Sequence, residues 1–311
     1  MALYRDNLPQ LTGEIFLADA GMETDIIFNR GIDIREFASH TLLTDPVGRA
    51  ALTDYLRGFV ELAADRNLGL ILDAPTWKAH MHWSEDLRED AAFLRSANED
   101  AVGLVAQLRA EAANNKPIVI NAPVGPRGDA YKPEEVISAD EAEKYYAEQI
   151  GWLVPTDADM ATALTFTQSS EAIGFCHAAA AQHLPAVVSF TVELDGRLPD
   201  GQPLREAVEA VDDGAEGYPA YFMINCAHPD HFASAVQDGD WRRRIRGIRA
   251  NASRMSHAEL DEAPELDAGD PHELARQYVE LRDRMPWLNV FGGCCGSDLR
   301  HVTEIAKAVT V

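Results

Sequence analysis

The chain has 311 residues, 46% of them hydrophobic, enough to bury a sizeable core in one large α/β barrel or two average domains. Against 27 Lys and Arg stand 51 Asp and Glu, a formal net charge of −24. A surface of that sign repels nucleic acid and anionic lipid, so neither is expected as a partner, and no uncharged apolar run is long enough to predict a membrane span.

In chain order, residues 1–11 carry Arg5, Asp6, Asn7 and Pro9 and lack the apolar stretch of a targeting segment. A first apolar run at 14–20 reads as a buried strand. Asp45 and Pro46 then supply an N-cap and a first helical residue for a helix to 66, ahead of a second run at 68–74. Ser84-Glu85-Asp86 opens a helix towards 115, followed by a run at 117–122. Ser138 and Glu141 form a capping-box pattern for a helix to 153, and a fourth run occupies 158–165. A helix over 169–182 leads to the run at 186–192, and one over 202–212 to the run at 220–226. Helices over 229–237, 271–284 and 297–308 alternate with the last two runs, 245–251 and 287–292.

Strand then helix, eight times with no change of composition, predicts parallel pairing with right-handed crossovers. The expected fold is a single (β/α)8 TIM barrel over 1–311, with an open doubly wound sheet as the alternative. Two longer connections, 123–131 and 251–270, leave the C-terminal ends of strands, where barrel enzymes keep their chemistry.

Four cysteines in a chain of this length are too few for a disulfide framework and suit a reducing, cytoplasmic setting. Three of them form the strongest local signal: Cys226 in Ile224-Asn-Cys226, and Cys294 and Cys295 in Phe291-Gly-Gly-Cys-Cys-Gly-Ser297. Neighbouring side chains on a regular strand point to opposite faces. The vicinal pair therefore shares a target only if the strand ends there and bends, which Gly292, Gly293 and Gly296 permit. By strand count the three thiols come from strands six and eight, on one rim of the barrel. Three soft thiolates with one tetrahedral position left open describe a catalytic zinc site. Buried apolar cysteines or a redox pair are the other readings of the same residues. Cys176, within its helix, reads as core.

At these residues the sequence resembles the homocysteine S-methyltransferase family, over nearly the whole chain. Besides the Gly-Gly-Cys-Cys-Gly run and Asn225-Cys226, three segments look like family motifs: Leu17-Ala-Asp-Ala-Gly-Met-Glu-Thr24, Ala122-Pro-Val-Gly-Pro126, and Arg249-Ala-Asn-Ala-Ser253 in place of Tyr-Pro-Asn-Ser-Gly. The resemblance implies that Cys226, Cys294 and Cys295 bind zinc. It also implies that Asp19, with the backbone of Ala20 and Gly21, meets the amino acid part of the substrate. Asn225 is a candidate to orient a ligand. The family's Glu at the end of strand four, which holds the substrate amino group, is replaced here in Leu164-Thr-Phe-Thr167. Asp73 is a candidate stand-in, and Trp77 replaces a smaller aromatic residue in the pocket wall.

The implied reaction moves a methyl group from a small onium donor, such as S-methylmethionine or a betaine, to the thiolate of homocysteine. An offshoot using another thiol or selenol, and a zinc or redox barrel without enzymatic activity, are the alternatives. No glycine-rich dinucleotide fingerprint is present. Trp77, Trp83 and Tyr131 are candidate wall residues, and His80 and His82 are expected on a solvated loop. The sequence leaves the oligomeric state open, a homo-oligomer included.

Overall fold

The computed structural model describes residues 1–130 and 136–310. Its eight strands are β1 (Phe16–Leu17), β2 (Gly69–Asp73), β3 (Ile118–Val124), β4 (Met160–Phe166), β5 (Ala186–Phe190), β6 (Phe222–Asn225), β7 (Ile245–Ala250) and β8 (Val290–Gly293). Each is parallel to the next, and Phe16 and Leu17 of β1 pair with Val290 and Phe291 of β8. That last pairing closes the sheet into the expected (β/α)8 barrel and removes the open-sheet alternative.

Eight helices follow the strands: α1 (Pro46–Arg66), α2 (Ala91–Glu111), α3 (Ala139–Leu153), α4 (Ser169–Ala181), α5 (Leu204–Gly214), α6 (Pro229–Phe232), α7 (Pro271–Arg284) and α8 (Leu299–Val309). Local chemistry sets their starts. Asp45 accepts from Gly48 N ahead of α1, and Ser138 and Glu141 close a reciprocal capping box on α3. The helix expected to run from 84 is broken: Arg88 turns left-handed (φ 57°) after a short turn at Ser84–Leu87, and Asp90 caps a fresh start. The helix expected to reach 237 ends at Phe232, beyond which Ala235 N bonds Phe232 O in a tighter turn. Among the described residues no helix is long and apolar enough to cross a membrane.

Strand alternation sorts the buried side chains into two cores. Leu70, Leu72, Ile118, Ile120, Val188 and Phe291 face the helices. Phe16, Ile71, Val119, Met160, Val187, Met223 and Val290 fill the barrel, with Leu8 from the N-terminal segment packed among them. Asp159 pins that segment by accepting from Leu3 N (2.6 Å), Tyr4 N (2.9 Å), Ile120 N (2.8 Å) and Arg109 Nη1 (2.8 Å).

Two residues further along the same strands, the inward side chains become polar. Thr162 donates to Asn121 (2.8 Å), Asn121 to Asp73 (2.7 Å), and Ser189 to Asn225 (2.6 Å). Arg249 completes this layer. The apolar plug thus gives way to a hydrogen-bonded floor at the C-terminal ends of the strands.

Candidate metal centre

Each cysteine of the trio sits one or two residues past a strand. Cys226 follows β6; its N–H bonds Arg249 O (3.1 Å), and its backbone takes a left-handed conformation (φ 57°) that turns the chain off the sheet. Its carbonyl is fixed by Asn251 Nδ2 (3.0 Å), Thr191 Oγ1 (3.3 Å) and a nitrogen of the His257 ring (2.8 Å). Cys294 and Cys295 follow β8, tied by Cys294 N to Ala250 O (2.9 Å) and by Ala252 N to Cys295 O (3.1 Å). The bend there demands small residues. A Cβ on Gly292 would lie 2.6 Å from the Asp19 carbonyl, and one on Gly21 would lie 2.6 Å from that of Cys294.

The consequence is a sulfur cluster. Cys226 Sγ lies 3.0 Å from Cys294 Sγ and 3.7 Å from Cys295 Sγ, and all three lie within 4.8 Å of one another. Tetrahedral zinc with Zn–S of about 2.3 Å requires sulfurs about 3.8 Å apart, close to the Cys226–Cys295 spacing. Thiol hydrogen bonds from Cys226 and Cys295 hold Cys294 well below the ordinary thiol range, and the same contacts hold Cys226 well above it. Cys176 is buried in α4, where desolvation pushes its thiol up and away from reactivity.

The sulfurs open onto a cavity of about 440 Å³. Asp19, Asp73 and Arg249 form its floor; Trp77 and Leu164 stand in its wall. Arg249 makes ion pairs with both Asp19 and Asp73, and its Nε donates to Gly293 O (3.3 Å). Burial works against the Arg249 charge, but Asp73 and Asp19 more than offset it and raise its pKa. Asp19 is raised well above the carboxylate range by burial, with Arg249 opposing. Asp129, Asp261, Glu265 and Asp267 add negative charge around the remainder of the cavity.

The other candidates fall as follows. Ala20 and Gly21 line the cavity, but their N–H groups turn into the fold, to Tyr55 Oη (3.0 Å) and Ser297 O (3.2 Å). Trp77 Nε1 donates to Leu164 O (2.9 Å), which fixes the ring in the wall. Trp83 also lines the cavity, with Lys78 Nζ 3.6 Å from its ring centroid. Tyr131 lies outside the described residues. Asn225 is fully buried behind the cysteines, with its Nδ2 3.9 Å from Cys294 Sγ. His80 is not solvated: a turn at Met81–Trp83 folds over it, Tyr145 Oη bonds its Nδ1 (2.5 Å), and burial lowers its pKa to about 3. His82 is exposed.

Sequence reasoning missed Arg249, Asn121 and His257. The first two had a signal, since each lies two residues beyond an inward-facing position, Gly247 or Val119. His257 comes from the connection after β7, which folds into a helical turn at His257–Glu262 instead of staying irregular.

Comparison with known proteins gives a consistent picture. The family model for homocysteine S-methyltransferase matches residues 16–309. No curated protein matches the chain. Among solved structures, the homocysteine methyltransferase MmuM from Escherichia coli is similar in three forms. The metallated form has a TM-score of 0.74 at 18% identity over 94% of this chain and 96% of that one. The oxidized form gives 0.75 at 18% over 96% of both. The apo form gives 0.67 at 19% over 95% and 96%.

Proposed function

Because this chain belongs to the homocysteine S-methyltransferase family, we propose that it is a zinc enzyme moving a methyl group from a small onium donor to the sulfur of a thiol. The observation that carries this reading is the meeting of the Cys226, Cys294 and Cys295 sulfurs on the cavity side of the barrel. Three soft thiolates with no carboxylate among them suit zinc better than a hard cation, and leave room for one more ligand. That MmuM is known in a metallated form supports a metal at this site. A zinc ion held by the three cysteines would lower the pKa of an incoming thiol and keep it a nucleophilic thiolate near neutral pH.

In the transfer, the acceptor sulfur bonds to the methyl carbon as that carbon's bond to the donor's cationic sulfur or nitrogen breaks. The electron pair leaves with the donor, which departs neutral, and the acceptor's proton passes to water. The protein's part is to hold sulfur, methyl and leaving atom in line, with about 3–3.5 Å between reacting atoms. The carboxylates lining the cavity favour a cationic donor. Lys78 Nζ lies 3.6 Å from the Trp83 ring centroid and 5.7 Å from that of Trp77, so Trp77 is the more open of the two indole rings to that cation. The four cysteines, none joined to another, suit the reducing cytoplasm.

Metal analysis paired with a methyl-transfer assay tests this reading, using S-methylmethionine, betaine and dimethylsulfoniopropionate as donors. One zinc per chain is expected. In Cys294→Ser the zinc should be lost, with transfer falling more than roughly 100-fold. Transfer that survives without metal would remove the basis of the assignment.

A further inference from the structure

We propose that Lys78 seats the carboxylate of the methyl donor, so that the protein selects onium donors carrying an acid group in the same molecule over bare onium cations. The inference rests on the thiol-methyltransferase reading of the site and adds a residue that sets donor specificity.

Among the described residues, two basic side chains line the cavity, Arg249 and Lys78. Arg249 is engaged at the floor by Asp19 and Asp73. Lys78 makes no ion pair with a described residue; its Nζ donates to the Glu36 carbonyl (2.7 Å) and stands beside the Trp83 ring. An ammonium has three hydrogen bonds to donate, and a carbonyl with one ring leaves room for a carboxylate oxygen. Burial lowers the Lys78 pKa, with Asp129 and Glu36 opposing it, and a carboxylate in contact would add to that opposition.

The chain around Lys78 is firmly held. Thr76 Oγ1 donates to Pro123 O (2.7 Å), Gly125 N to Trp77 O (2.8 Å) and Asn98 Nδ2 to Ala79 O (2.7 Å), which fixes the backbone on both sides of it. On the accepting side, Glu36 and Phe37 are both left-handed (φ 48° and 59°), and Phe37 lines the cavity. Strain of that kind in residues other than glycine gathers at ligand clamps.

Glu23, Asp129, Asp261, Glu265 and Asp267 also line the cavity, and burial pushes Glu23 towards its neutral form. Such a lining attracts a cation and disfavours a free anion, so a donor enters on its onium charge. Its methyl must point at the acceptor sulfur, which leaves the rest of the molecule towards the mouth. With the onium on Trp77, a bare cation meets the Lys78 ammonium, 5.7 Å from the ring centroid, as like charge. A short carboxylate arm on the donor reaches between the two charges and replaces that repulsion with attraction on each side.

The test pairs each donor with its decarboxylated form: betaine with tetramethylammonium, dimethylsulfoniopropionate with ethyldimethylsulfonium, and S-methylmethionine with dimethyl(aminopropyl)sulfonium. Initial rates with homocysteine as acceptor give kcat/KM, and calorimetry on the zinc-loaded chain without acceptor gives donor binding. For the donor pair that the protein uses best, the carboxylate-bearing member should be favoured at least about tenfold in both measurements. Lys78→Met should shrink that ratio to within about threefold, through KM more than kcat, and Lys78→Arg should keep most of it. A wild-type ratio near one, or a ratio undiminished in Lys78→Met, overturns the inference and leaves the methyltransferase reading standing. So does a raised KM for homocysteine alone in Lys78→Met, which would give Lys78 to the acceptor. A chain that transfers methyl from none of these donors overturns both.

Discussion

Asn225 and Thr165 bond each other twice: Asn225 Oδ1 accepts from Thr165 N (3.0 Å), and Asn225 Nδ2 donates to Thr165 Oγ1 (2.7 Å). Thr165 is β-branched yet left-handed (φ 66°), at the register shift of β4. A conformation of that kind costs about 1–3 kcal/mol and persists only where its surroundings impose it. The same Asn225 amide reaches towards Cys294. Asn225→Ala should therefore release Thr165 and weaken zinc binding by about 10- to 100-fold, read by competition with a chromogenic chelator. Unchanged metal affinity would mean that Asn225 supports the strand alone.

Gly292→Ala tests the seam between β1 and β8. The added methyl would lie 2.6 Å from a backbone oxygen, which cannot swing aside as a side chain can. A loss of about 1–3 kcal/mol in stability is expected. The zinc-dependent rise in melting temperature should shrink as well, since Asp19 and Cys294 flank the displaced backbone. Thermal melts with and without zinc measure both effects.

The burial of His80 gives the protein a pH dependence of known sign. Its folded pKa of about 3 lies below its ordinary value of 6.5, so below 6.5 the unfolded chain takes up a proton that the folded chain refuses. The stability from keeping His80 neutral is complete above 6.5 and is lost as pH falls towards about 3. The slope approaches about 1.4 kcal/mol per pH unit at its steepest. His80→Phe should flatten the stability curve in that window, and urea titrations from pH 7 to 4 would show whether it does.

Tyr146→Phe addresses the loop after β3. The buried Tyr146 hydroxyl bonds Glu171 Oε1 (2.7 Å), and Glu171 in turn accepts from Arg127 N (2.7 Å). Removing the hydroxyl leaves a buried carboxyl short of a partner, at a cost of about 1–3 kcal/mol. A denaturant midpoint lowered with an unchanged slope would identify this as a stability effect.

The barrel was legible in the sequence because short apolar runs, helix caps and Pro positions obey local rules. All eight runs became strands, and the helix at Pro271–Arg284 has its expected bounds. The cysteine cluster was legible because glycines mark where a strand must end. Arg249 was visible as a departure from a motif and by its place two residues beyond Gly247, but not by its partners. Its partners, Asp73 and Asp19, lie 176 and 230 residues away, a separation that no local pattern spans. His80 was misplaced because its cover comes from Tyr145, 65 residues on.

The N-terminal segment stoppers the other end of the barrel. Leu8 packs into the interior, and Gln10 O accepts from Asn289 (2.7 Å). With that end packed by side chains, whatever reaches the three sulfurs comes from the opposite mouth of the barrel, onto which their cavity opens.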